Sequence, residues 1–175
     1  MIKQMFSART LALTGVFLLS VGAATTTDAA TAQANLSVTA SVTANCTIAT
    51  TAVAFGSYDP VNTNASAALN GAGSVSITCT TGASATVTLG QGANADTGST
   101  DAAPTRRLTD GTHFLSYALY SDTNRTAVWG NTSGTGVAST GTGAAVSLPV
   151  YGAVSSGQNV PAGSYTDTVV ATVTF

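Results

Sequence analysis

The sequence predicts an all-β protein built as a β-sandwich, and three observations carry that prediction. Thr, Val, Ser and Gly are abundant while charged residues make up only 7% of the chain, a composition that suits pleated, half-buried strands. Apolar residues recur at every second position in several runs, the period that places them on one face of a strand. Turn-forming residues separate those runs. Disorder is not expected from the Ser, Thr and Gly content, because the alternating apolar residues are too many.

The chain opens as a secretory signal. Lys3 and Arg9 precede a short apolar run over residues 11–21, and Gly22-Ala23-Ala24 offers the small-x-small spacing of a cleavage site. Residues 1–24 are therefore expected to be removed, with Ala32-Gln33-Ala34 a second acceptable site. No apolar run has the length that a bilayer-spanning helix needs. The mature chain of about 150 residues suffices for one domain with its own core.

Residues 36–46 follow. Leu36, Val38, Ala40, Val42 and Ala44 are apolar, and Ser37, Thr39, Ser41 and Thr43 between them carry hydroxyls. Such a stretch is an extended segment with one apolar face. An ordinary first strand would look the same, but the rest of the chain points to an arm (residues 25–44) that completes a neighbouring subunit. Both ends of the mature chain are long alternating runs with almost no charge and no Lys or Pro. Natural proteins usually blunt exposed edges with those residues, so their absence predicts strand addition between chains.

Residues 53–56 read as a short strand running into a turn at Tyr58-Asp59-Pro60, and residues 62–73 as a small-residue loop. Val75, Ile77 and Cys79 alternate with Ser74, Ser76 and Thr78, and Ala85, Val87 and Leu89 repeat the pattern. Residues 90–105 form a long loop, and Arg106-Arg107-Leu108-Thr109-Asp110-Gly111 closes it with a turn signal. Residues 114–120 are the aromatic strand, with Leu115, Tyr117 and Leu119 on one face. A turn at residues 121–124 leads to a short continuation ending at Trp129, then to a loop over residues 131–143. Val146, Leu148 and Val150 mark the next strand. In the final run Tyr165, Val169, Ala171, Val173 and Phe175 share one face, and the sequence ends within the alternation, predicting an uncovered edge.

Charge and residue inventory exclude several function classes. Beyond residue 24, seven aspartates against three arginines (Arg106, Arg107 and Arg125) leave a net charge of −4. Nucleic acid and anionic lipid both require basic patches that this chain lacks. No cofactor is expected. Cys46 and Cys79, two cysteines in an exported chain, predict a disulfide; zinc would need more ligands, and His113 is the only histidine.

Asp96-Thr97-Gly98-Ser99 has the wording of an aspartic-protease signature but lies in a Gly/Asn-rich loop, where a turn aspartate is the better reading. Gly90-Gln91-Gly92 lacks the third glycine and the helix of a dinucleotide loop. His113 has no nucleophile-elbow motif to serve, and the chain is read as a non-enzyme. Arg106 and Arg107 are expected to pair with nearby aspartates or to flank a strand. Trp129, Tyr117 and Tyr120 are expected to pack in the core rather than to form a sugar platform.

Several segments, in this order, resemble the spore coat protein U domain family, which includes subunits of Csu-type, archaic chaperone–usher pili. They are residues 36–48, Val53-Ala54-Phe55-Gly56-Ser57-Tyr58-Asp59-Pro60, Arg106-Arg107-Leu108, residues 115–122 with Trp129-Gly130, Val150-Tyr151-Gly152, and residues 161–169 with Val173-Thr174-Phe175. The resemblance spans residues 36–175. It implies an incomplete immunoglobulin-like β-sandwich, over residues 45–175, completed by donor-strand exchange. Leu36, Val38, Ala40 and Val42 would be the donor side chains. The acceptor-groove edge would be Tyr165, Val169, Ala171, Val173 and Phe175, and Cys46 and Cys79 match the family's disulfide pair. The implied partners are copies of itself or sister subunits, a periplasmic chaperone and an outer-membrane usher. The implied role is a surface pilus or coat serving adhesion and biofilm formation, with a shaft rather than a tip position for a one-domain chain. The alternative from a different class is a stand-alone secreted β-sandwich that binds carbohydrate through its loops.

Overall fold

Alternating sequence becomes paired strand wherever a neighbour is available. The computed structural model describes residues 27–175, so the signal sequence expected over residues 1–24 lies outside the described residues. The chain divides into two units, Met1–Ala40 and Ser41–Phe175. In the first, residues 27–40 belong to no helix or strand and are exposed.

The second unit holds the strands β1 (Cys46–Ala54), β2 (Leu69–Cys79), β3 (Ser84–Leu89), β4 (Arg106–Thr109), β5 (Phe114–Tyr120), β6 (Val137–Thr140), β7 (Ala145–Val154) and β8 (Ala171–Thr174). One helical turn, α1 (Thr63–Ser66), precedes β2. A five-stranded sheet has the order β1-β2-β7-β5-β4 and a three-stranded sheet the order β6-β3-β8. Every pairing is antiparallel. The fold is an all-β sandwich of two sheets.

The core is the sum of the inward halves of the alternating runs. Val75, Ile77 and Cys79 from β2, Ala85, Val87 and Leu89 from β3, and Leu115, Tyr117 and Leu119 from β5 are all buried. Burying each Val, Leu or Ile side chain among them is worth about 1.5–3 kcal/mol. Trp129 fills the centre without exposure, and its indole N–H donates to the Val87 carbonyl at 2.9 Å, giving its one polar atom a partner. Cys46 and Cys79 are register partners across β1 and β2 and are joined as a disulfide.

Four segments differ from the sequence expectation. Residues 62–73 are not a plain loop: α1 forms there and β2 begins at Leu69. The buried Asn64 organises the turn, accepting from the Asp59 amide at 2.9 Å and donating to the Ala67 carbonyl at 2.9 Å. Glycines at 71 and 73 hid the start of β2. The chain of β1 passes so close that a Cβ at Gly73 would lie 2.6 Å from the Thr51 carbonyl oxygen, a close approach that only glycine allows.

Residues 106–109 are strand β4 instead of a turn, paired with β5 from Arg106–Tyr117 to Thr109–Phe114. Within the loop expected over residues 131–143, Val137–Thr140 pairs with β3 as an edge strand. The final run is a strand only over Ala171–Thr174, paired with β3. Residues 165–170 keep the alternation, with Tyr165, Asp167 and Val169 half-buried and Thr166, Thr168 and Val170 exposed. They are held on one side only, as follows.

Candidate functional site

Successive residues of an extended chain turn their N–H and C=O groups to opposite sides. Along residues 165–170 one side is occupied. Thr166 and Thr109 exchange two backbone hydrogen bonds of 2.9 Å each, the Thr168 carbonyl accepts from Ala93 at 3.0 Å, and the Val170 carbonyl accepts from Gly90 at 2.8 Å. The backbone groups of Tyr165, Asp167 and Val169, which face the other way, have no hydrogen-bond partner among the described residues. That row is a free strand edge.

A cleft lined mostly by apolar side chains runs beside it. One part, of about 640 Å³, is lined by Phe55, Tyr58, Leu108, Leu115 and Tyr165 among others. The second part, of about 340 Å³, is lined by Val53, Phe55, Leu119, Val169 and Ala171 among others. Val53, Phe55, Leu108 and Asp167 belong to both parts, so the two form one trough between β1 and the C-terminal segment. Phe55 stands edge-on to Tyr117 with ring centroids 5.8 Å apart, an arrangement aromatic quadrupoles favour.

The sequence-derived edge residues divide between two settings. Tyr165, Val169 and Ala171 line the cleft. Val173 packs against the core opposite Val87, and Phe175 is 54% exposed. Of the donor residues, Leu36, Val38 and Val42 are 87%, 85% and 86% exposed, and Ala40 is exposed as well. Leu36, Val38 and Val42 thus present exposed aliphatic side chains at every second or fourth position.

Sequence reasoning missed Asp167. It occupies the inward phase of the alternation, and a charged residue in an apolar phase is the signal that could have found it. Its carboxylate accepts from the Tyr117 hydroxyl at 2.6 Å and from the Asn94 backbone and side-chain N–H groups at 3.2 and 3.0 Å. Burial, followed by the contact with Asp167, pushes the Tyr117 phenol far above its ordinary value, so it remains a donor. Folding then keeps a proton that the unfolded chain releases above pH ~10, and stability is expected to fall as pH rises past that point.

The two neighbouring arginines have opposite fates. Arg107 pairs with Asp96 at 2.9 Å, as expected, but stands within β4 rather than beside a strand; it also lies over the Phe114 ring at 4.1 Å and donates to the Asn94 and Ala95 carbonyls at 3.1 Å each. Arg106 has no exposure and pairs with no aspartate. It donates to the carbonyls of Leu89, Gly90 and Trp129 at 2.9, 2.8 and 2.8 Å. Its Nη1 has no partner among the described residues. Burial lowers its pKa, with the nearby Tyr117 and Asp167 working against that shift.

The remaining chemical candidates make local contacts. Asp96 caps its own turn by accepting from Thr97 N–H at 2.8 Å. His113 Nδ1 lies 3.0 Å from Asp110, whose carboxylate also accepts from the His113 and Thr112 backbone N–H groups. Those bonds hold Asp110 well below the usual carboxylate range, and bonds from neighbouring residues also lower Asp122 and Asp101. Depressed carboxylates stabilise the fold above the unfolded-state value of about 3.9. The melting temperature is therefore expected to be level between about pH 5 and 7 and to fall on acidification below about pH 4; thermal scans across pH check this. Trp129, being fully buried, offers no ring face to a sugar. No cluster of three or more metal-ligating residues occurs among the described residues. No helix among them is long and apolar enough to cross a membrane.

The last segment of this two-sheet sandwich runs beside an open cleft with one backbone edge free. The sequence profile of the Spore Coat Protein U domain matches residues 32–172, and the chain belongs to that family. It is 49% identical over 156 residues to Protein U of Myxococcus xanthus, covering 85% of this chain and 87% of that relative. Its fold is similar to one in the crystal structure of the CsuC-CsuE chaperone–tip adhesion subunit pre-assembly complex from archaic chaperone–usher Csu pili of Acinetobacter baumannii. The TM-score is 0.50 at 21% identity, over 77% of this chain and 40% of the matched one; this chain thus spans well under half of that chain's length.

Proposed function

We propose that the protein is an exported structural subunit that polymerises by β-strand donation into a surface pilus or coat acting in adhesion and biofilm formation. After loss of residues 1–24, residues 25–44 serve as a donor arm, and residues 45–175 form the acceptor sandwich. The observation that carries this reading is the free backbone edge at Tyr165, Asp167 and Val169 beside an apolar cleft. The arm supplies what the cleft lacks. Leu36, Val38 and Val42 are apolar, exposed and two residues apart, and each is worth about 1.5–3 kcal/mol when removed from water. Backbone bonds to the free edge add to that and fix direction.

An open cleft of this kind needs a temporary occupant before assembly. A periplasmic chaperone would fill that role and an outer-membrane usher would exchange it for the next arm, as the description of the Csu complex and the family membership support. The Cys46–Cys79 disulfide fits passage through an oxidising compartment.

The test compares the mature chain with one lacking residues 25–43, both purified from periplasm and run on denaturing gels unheated and boiled. The expected result is a ladder in the intact sample that boiling collapses and the deletion abolishes. A single monomer band in both, equally heat-stable, would overturn the reading.

A further inference from the structure

Granting that strand donation, we propose that Asp167 sets the register of the incoming arm by accepting only the small Ala40 opposite it. The pairing is antiparallel, with Leu36 against Ala171, Val38 against Val169 and Val42 against Tyr165. All six pairings in this sandwich are antiparallel, and an added strand continues the pattern.

Asp167 lines both parts of the cleft and so stands as the one charged group midway along an apolar trough. It cannot swing aside. Tyr117 and Asn94 hold its two oxygens, and its carboxylate presses against Gly92, where φ is +89° and a Cβ would collide with it. A valine or leucine driven onto this carboxylate would strip its remaining water and return no hydrogen bond, which is unfavourable. Alanine is the smallest apolar side chain the arm can present there.

The competing registers fail for separate reasons. A one-residue slip turns Ser37, Thr39, Ser41 and Thr43 into the apolar cleft. A two-residue slip sets Val38 or Val42 on Asp167. Placing Ala44 there moves Val38 and Leu36 opposite Val173 and Phe175, neither of which lines the cleft. It also draws on residues next to Cys46, which is tied to Cys79. The proposed register leaves the bulky Leu36 against the small Ala171.

Cysteine pairs in the full mature chain read the register without altering Asp167. Residues opposed in a hydrogen-bonded antiparallel pair have Cα atoms about 5.5 Å apart, within disulfide reach, while a two-residue offset adds about 7 Å along the strand. Val38→Cys with Val169→Cys is expected to give a ladder that survives boiling and collapses on reduction. Leu36→Cys or Ala40→Cys with Val169→Cys is expected to give none. Adding Ala40→Leu to the Val38/Val169 pair is expected to abolish the covalent ladder. The register proposal is overturned if a slipped pair cross-links, if the expected pair fails while the heat-labile ladder persists, or if Ala40→Leu changes nothing. In each of those cases strand donation itself stands. Absence of any ladder from the unsubstituted chain would instead remove strand donation, and the register proposal with it.

Discussion

Arg106→Ala is expected to remove a large share of the sandwich's stability. The guanidinium has no exposure and is shared among the carbonyls of Leu89, Gly90 and Trp129. Each carbonyl left unsatisfied in the interior costs about 1–3 kcal/mol, and the side-chain volume becomes a cavity. A combined effect of about 3–5 kcal/mol is expected, a large share of the 5–15 kcal/mol by which a typical domain is stable. The urea midpoint should fall by about 2 M at a typical slope. Arg107→Ala is the matched control. Its ion pair with Asp96 is partly exposed, and such pairs contribute about 0–1 kcal/mol; its bonds to the Asn94 and Ala95 carbonyls lie in a loop that water can reach, so the shift is expected to be smaller than for Arg106→Ala. Equal midpoint shifts for the two variants would show that the Leu89, Gly90 and Trp129 carbonyls do not depend on Arg106 as described.

Val38→Asp is expected to abolish assembly while leaving the unassembled subunit unaffected. Val38 is 85% exposed, so a carboxylate there meets only water before assembly. Inserted into the cleft it would lie among apolar residues close to Asp167, without a partner. Burial of an unpaired charge costs several kcal/mol, and ~3 kcal/mol already weakens an association about 100-fold. The unheated ladder should vanish and the monomer's melting temperature should not move. Ser37→Asp, on the opposite phase of the arm, should leave the ladder in place. A Val38→Asp ladder indistinguishable from that of the unsubstituted chain would contradict the assignment of Val38 as a donor side chain.

The parts of the fold that were legible in the sequence are those where alternation and burial coincide. Leu115, Tyr117 and Leu119 declared β5, and Ala85, Val87 and Leu89 declared β3, because one face of each strand is core and the other is not. The strand β6 was hidden because it is a four-residue edge with only Val137 and Ser139 half-buried, too short for a period to register among Gly, Ser and Thr. The strand β4 was hidden because its inward residue is Arg106, whose charge argues for the surface until three carbonyls are seen converging on it. Of the site, the apolar residues Tyr165, Val169 and Ala171 were legible from their phase. Asp167 was not, since its place in the cleft depends on Asn94 and Tyr117, distant in sequence by 73 and 50 residues. For residues 36–44, alternation alone could not distinguish a strand paired at home from a segment that belongs to no strand.

Strand donation requires the backbone edge at Asp167 and Val169 to be empty in the subunit and filled on assembly. Amide hydrogen exchange, followed residue by residue in the assembled protein and in the chain lacking residues 25–43, tests it most directly. The Thr166 amide, already bonded to Thr109 at 2.9 Å, serves as the internal reference. Slow exchange at Asp167 and Val169 in the assembly, with fast exchange at both after deletion of the arm, is the predicted result. Equal exchange at these two amides in both samples would contradict the account.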